Sequence, residues 1–268
     1  MTLVAALDIL AHMIRAVLLD LAGVVYQGEQ PLPGAIRAVA ELRDAGFSLR
    51  FLTNTTRMPR RALLLYLNGM GVRIADDELF TPAQAARAWL AAKRLSPHAL
   101  IHPALEEDFA NLPASTAEAV VVGDAAEGFT YAALNAAFRK LIAGAEFLAL
   151  ARNRSFKDED GDLSLDAGAF VAALEYATQR EAVLLGKPAP DFFRAALASI
   201  ACDGKEAVMV GDDAEADVAG ALAAGIGSAL LVRTGKFRPG DETKAELAPS
   251  DTVEDLAAAA RWIMERRG

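Results

Sequence analysis

The sequence predicts an α/β protein in which a doubly wound parallel sheet is interrupted by an inserted α/β unit. Two observations carry this. Short continuous apolar runs, such as Val17–Leu19 and Ala207–Val210, suit strands buried on both faces of a parallel sheet. These runs end on charged or hydroxyl side chains, at the strand edge where open α/β sheets bind ligands.

In chain order, residues 1–12 read as an N-terminal extension with no expected catalytic role. A first core segment, 13–81, opens with the strand ending at Asp20, and Leu21, Ala22 and Gly23 then turn the chain sharply. GAIRAVAELRDA at 34–45 predicts a crossover helix with Ile36, Val39, Ala40 and Leu42 inward and Gly46 as its stop. SLRFL at 48–52 is the next strand, running into Thr53, Asn54, Thr55 and Thr56. A helix over 58–71 follows, with Leu63, Tyr66, Leu67 and Met70 inward and Arg57, Arg60 and Arg61 as a solvated basic face.

Residues 82–183 alternate helical patterns with strands at 99–102, 119–124 and 146–150, a self-contained unit of roughly a hundred residues read as a cap domain. Its turn KDEDGD at 157–162 lacks the full ligand spacing and closing Glu of a calcium loop and reads as a surface hairpin. His98 and His102 are denied a shared helical face by Pro97 and the strand pattern, so both read as structural. A second core segment, 184–268, resumes the sheet with Lys187 just past a strand tip and Pro190 opening a helix. AVMVGDD at 207–213 ends in acids, with Asp217 close behind; SALLVRTG at 228–235 and the helix DLAAAARWIMER close the chain.

Composition narrows the function. The 268 residues are 53% hydrophobic with mean hydropathy +0.23, enough for a sizeable core. A formal net charge of −9 repels phosphate backbones and argues against nucleic acid or an anionic membrane as partner. One cysteine, Cys202, rules out an internal disulfide framework and reads as a small buried hydrophobe. No apolar run approaches the roughly 18 residues of a membrane span, and the first residues lack a signal-peptide pattern, so a cytoplasmic location is expected.

Four strand tips therefore carry Asp20, Thr53 with Asn54, Lys187, and Asp212 with Asp213. Carboxylates from two strands repel at neutral pH, and a hard divalent cation such as Mg2+ is the usual way to hold them together. Adding a lysine and a hydroxyl suits the site to a phosphoryl group, with one carboxylate free to attack phosphorus and form an aspartyl-phosphate.

The motifs DLAGVV, LTN, GKP and GDDAEAD, in that order, resemble the four motifs of haloacid dehalogenase superfamily phosphatases. The insert resembles the α/β cap of the 4-nitrophenylphosphatase-like branch, and VRTGKFRPGDE at 232–242 and VVVGDAAEGFTYAALNAAF at 120–138 add to the likeness. The resemblance implies a Rossmann-like core, a Mg2+ cofactor, and Asp20 as nucleophile and metal ligand. It gives the Ala22 carbonyl and Asp212 as further ligands, Asp213 or Asp217 in support, Thr53 and Asn54 as phosphoryl donors, and Lys187 as the charge offset. It also implies a cap that chooses the leaving group; caps of this type often mediate homodimers.

One position departs from the pattern. Most phosphatases of the superfamily place an aspartate two residues after the nucleophile, where this chain has Ala22. Alanine transfers no proton, so about 10²- to 10⁴-fold of acid–base assistance is missing for poor leaving groups. The expected substrates are small phosphorylated molecules or phosphoamino acids with labile P–N or P–O–P bonds (phospholysine, phosphohistidine, pyrophosphate), or aryl phosphates, rather than alkyl phosphates. Two alternatives stay open: a catalytically weak phosphate-binding regulatory module, and a phosphonoacetaldehyde hydrolase-like enzyme, which also has alanine there but carries a helical cap between the first two motifs.

Overall fold

The computed structural model describes residues 14–157 and 162–267; the extension expected over 1–12 and the tip of the 157–162 turn lie outside them. Ten strands build two parallel sheets among the described residues: β1 (Ala16–Asp20), β2 (Ser48–Leu52), β3 (Leu79–Phe80), β4 (Ser96–Leu100), β5 (Glu118–Val122), β6 (Glu146–Ala149), β7 (Val183–Leu184), β8 (Ala207–Gly211), β9 (Ser228–Val232) and β10 (Asp251–Val253). The chain divides into two compact units, one of Met1–Thr53, Leu64–Phe80 and Lys187–Gly268, the other of Asn54–Leu63 and Thr81–Gly186.

The first unit holds a six-stranded sheet in the order β10-β9-β8-β1-β2-β3, all parallel. Ala16 to Leu19 of β1 have no solvent exposure, as a central strand covered on both faces requires. The winding reverses between β1 and β8, which makes this pair the topological switch point where doubly wound sheets open a crevice. The helix Ala35–Asp44 buries Ala35, Ala38, Val39 and Leu42. Ile36 and Ala40, expected inward, are exposed, because the i, i+3, i+4, i+7 stripe starts one residue earlier. The edge strands β3 and β10 escape the sequence reading: LF and DTV are too short to show a pattern.

The second unit has its own sheet, β7-β6-β5-β4. Alternation along β5 divides its core in two. Val121 packs with Leu90, Leu105 and Leu148 on one face, while Val120 and Val122 pack with Leu141, Phe147 and Val171 on the other. β4 begins at Ser96, not at Ala99, and includes Pro97; it is an edge strand, where a missing N–H is tolerated. His98 lies within it, and His102 caps a short helical turn by accepting from the Ala104 amide at 3.2 Å. The strands Ser155–Lys157 and Leu163–Leu165 pair antiparallel on either side of the undescribed turn.

Residues 54–63 group with this unit, although the sequence boundaries had placed them in the first core segment. Arg57 and Arg61 are exposed, as expected, but the arginines here also have partners. Arg57 pairs with the buried Asp124 and lies 4.1 Å over the Phe156 ring, Arg61 reaches Glu107 at 3.2 Å, and the Arg60 amide donates to Asp108 at 3.1 Å. Cys202 is half-buried, and burial pushes its thiol up, which keeps it protonated and unreactive.

Because Leu18 is wholly enclosed at the centre of the first sheet, Leu18→Ala is expected to lower unfolding free energy by about 2–5 kcal/mol, read from the urea midpoint.

Candidate active site

Asp20 ends β1, and the three buried apolar residues after it pin the turn that follows. Leu21, Val24 and Val25 are fully enclosed, and the Leu21 carbonyl accepts from Val25 at 2.8 Å and Tyr26 at 3.2 Å. Ala22, between them, is exposed. In parallel register Asp20 stands opposite Leu52, so Thr53 lies one residue past it at the neighbouring tip, buried, with its amide donating to Phe80 at 3.2 Å.

Across the switch point, Asp212 follows directly on β8. One of its oxygens, Oδ2, accepts from the Lys236 amide at 2.7 Å. Backbone closes around that oxygen: Gly23 and Gly235 both have left-handed φ, +89° and +65°, and a Cβ on either would fall 2.0 Å from it. No other residue type fits either place. Asp213 caps the next turn by accepting from Glu215 and Ala216. That turn, Ala214–Ala219, is wound as a π-helix, a widening found mostly at functional sites, and it carries the fully buried Asp217.

Lys187 binds these pieces together. Its ammonium donates to Asp20 Oδ1 at 2.5 Å and to the Leu52 carbonyl at 3.3 Å, and lies 2.7 Å from Asp217 Oδ1. Burial works against its charge, but Asp20 and Asp217 outweigh burial and hold it protonated well above the usual lysine range. Burial raises Asp212 to about 8 and Asp217 to about 6; Asp20 adds to both shifts, and Lys187 opposes the second. Tyr26 is pushed up to about 12, first by burial and then by the Asp20 charge, and stays neutral.

One ligand oxygen from each of Asp20, Asp212 and Asp217 lies within 4.8 Å of the others. Counting Asp213, four carboxylates face two ammoniums, Lys187 and Lys236, leaving two negative charges when all are ionised. An all-oxygen donor set with that deficit fits a hard divalent cation.

The sequence agrees. Residues 17–113 match the family model described as haloacid dehalogenase-like hydrolase, and residues 184–259 match a second, HAD-hydrolase-like model. A rat (Rattus norvegicus) protein named phospholysine phosphohistidine inorganic pyrophosphate phosphatase is 40% identical over 258 residues, 94% of this chain and 95% of that one. The chain belongs to the haloacid dehalogenase-like hydrolases. A 4-nitrophenylphosphatase from Thermotoga maritima superposes on this hydrolase with a TM-score of 0.84 at 26% identity, covering 94% of this chain and 98% of that one. A glycerol phosphate phosphatase from Mycobacterium tuberculosis, solved in complex with magnesium, gives 0.81 at 28%, covering 92% and 77%. The hydrolase is thus a phosphatase of this family, and the α/β fold read from its sequence holds. Among the described residues no helix is long and apolar enough to cross a membrane.

Of the residues singled out in the sequence, Asp20, Thr53, Lys187, Asp212, Asp213 and Asp217 fall within the first unit. Asn54 groups with the second, its side chain against Gly186. Asp217 lies 2.7 Å from the Lys187 ammonium, one of the two supporting positions the resemblance implies, through water or through the lysine. Sequence reasoning read Gly23 only as part of a sharp turn and missed that it and Gly235 leave room for Asp212; it also missed Lys236, whose contribution is a backbone amide. The signals were that turn and TGK following a buried strand.

The raised carboxylates give the cation-free hydrolase a definite pH response. Between the ordinary aspartate value of 3.8 and about 8 the folded state holds protons that the unfolded chain releases, so its stability falls as pH rises through that window. In EDTA the melting midpoint should drop from pH 6 to pH 8, and Asp212→Asn, which removes one repelled charge, should flatten the decline.

Proposed function

We propose that this hydrolase is a Mg2+-dependent phosphatase working through an aspartyl-phosphate on Asp20, directed at labile P–N and P–O–P bonds or aryl phosphates. The observation that carries the reading is the pairing of the Asp20–Lys187–Asp217 ion-pair cluster with an exposed alanine at position 22.

Lys187 engages Asp20 Oδ1, which leaves the second oxygen to attack phosphorus. Asp20, Asp212 and the Ala22 carbonyl would hold Mg2+, which supplies charge neutralisation and orients the phosphoryl group. Asp217 has one oxygen beside Lys187 and the other accepting from the Asp213 amide at 3.2 Å, so its work is to fix the lysine rather than to ligate. Thr53 and Asn54 donate to the phosphoryl oxygens. Lys187 shares the charge that develops on nucleophile and phosphate.

In the first step the Asp20 oxygen bonds to phosphorus as the bond to the leaving group breaks. No carboxyl stands at position 22 to protonate that group, so it must depart as a stable anion or take a proton from solvent. Pyrophosphate and aryl oxides satisfy the first condition, and the nitrogen of phospholysine or phosphohistidine the second. Water then attacks phosphorus, releasing phosphate and restoring the carboxylate. The inserted unit is assigned the choice of leaving group. The alternatives lose ground: membership of the hydrolases favours turnover over passive binding. Residues 24–50 hold a two-residue hairpin, one helix and a strand, with no helical cap between the first two motifs.

Phosphate release from imidodiphosphate and pyrophosphate should exceed release from glycerol phosphate and should stop when Mg2+ is chelated; faster turnover of glycerol phosphate would overturn the assignment. Ala22→Asp should raise alkyl phosphate hydrolysis by about 10²-fold, read as kcat/KM, since the exposed turn has room for the longer side chain.

A further inference from the structure

We propose that Thr234–Gly235–Lys236, the turn after β9, is a strut that positions Asp212 for the cation, with Thr234 as a positioning residue. The inference rests on the metal reading above and adds residues to which that reading gave no role.

Three contacts converge. The Lys236 amide donates to Asp212 Oδ2 at 2.7 Å. The same oxygen lies between Gly23 and Gly235, and a Cβ on Gly235 would stand only 2.6 Å from the Gly23 Cα. The Thr234 hydroxyl donates to the Gly23 carbonyl at 2.5 Å, tying the turn after β1 to the turn after β9 with Asp212 between them. Since β1, β8 and β9 are neighbours in one sheet, these turns join three successive strand tips.

The physical effect is restraint. Two backbones wall in one oxygen of Asp212 and an amide engages it, so the carboxylate is barred from rotating and presents its other oxygen to the site. A carboxylate repelled by Asp20 would otherwise swing outward when no cation is bound, and each binding event would have to bring it back. Partners that orient a ligand in this way are typically worth 10- to 100-fold in metal affinity.

The test is Mg2+ binding to the full chain, measured by isothermal titration calorimetry without substrate and so independent of turnover. Thr234→Val keeps the shape and removes the donor; its Mg2+ dissociation constant should rise by about 10- to 100-fold, with far-UV circular dichroism unchanged. Thr234→Ser restores the hydroxyl and should return the constant to near the parent value. Thr243→Val, which removes a hydroxyl-to-carbonyl bond of the same kind (Thr243 to Gly240, 3.0 Å) from an exposed turn, should not weaken binding. An unchanged constant for Thr234→Val, no rescue by serine, or equal weakening by Thr243→Val would each overturn the strut. Absence of Mg2+ binding by the parent chain would instead overturn the metal reading beneath it.

Discussion

Two buried acids from separate strands, Asp20 and Asp212, stand at the switch point of the core sheet, and much of the surrounding structure answers their repulsion. Burial first, and then the charges of Asp20 and Asp217, push Asp212 up to about 8. Lys187 answers part of the repulsion, lying between Asp20 and Asp217 at 2.5 and 2.7 Å. A buried ammonium between two carboxylates is tolerable only because each desolvated charge has an opposite charge against it; either acid without the lysine would be an uncompensated buried anion. The remaining deficit leaves the cluster short of a salt-bridge network complete in itself and fits it to a cation.

Backbone geometry then decides what the acids can do. The tight turn after Asp20 is held by buried side chains at 21, 24 and 25, so residue 22 projects outward and its identity is free of packing demands. Alanine there is not a concession to the core, since the exposed position would accept a carboxylate without repacking anything. The absence of an acid is therefore no demand of folding, and under the proposed chemistry it falls on the choice of leaving group.

How much of this was legible in the sequence follows from the kind of force at work. Strands β1 and β8 could be read because burial on both faces demands uninterrupted apolar runs, and their terminal acids stood out against them. The helix Ala35–Asp44 was found, but its inward stripe was misplaced by one residue, because alanines fill both faces and blur the period. Strands β3 and β10 had no pattern to read. The ion pairs of the exposed arginines at 57 and 61 could not be read because their partners, Asp124 and Glu107, lie 67 and 46 residues further along the chain. Long-range ion pairing leaves no local trace.

The site divides along the same line. The buried charged side chains at the strand tips, Asp20, Lys187 and Asp212, announce themselves by being charged where charge is costly. Groups that act by position do not. Gly23 and Gly235 contribute the absence of a Cβ, and Lys236 contributes an amide that every residue but proline has. Their work becomes visible only when three strand tips are placed side by side and Asp212 Oδ2 is found with backbone on two sides. The acids crowd negative charge at these tips, while the glycine-lined clamp limits the orientations that Asp212 can take.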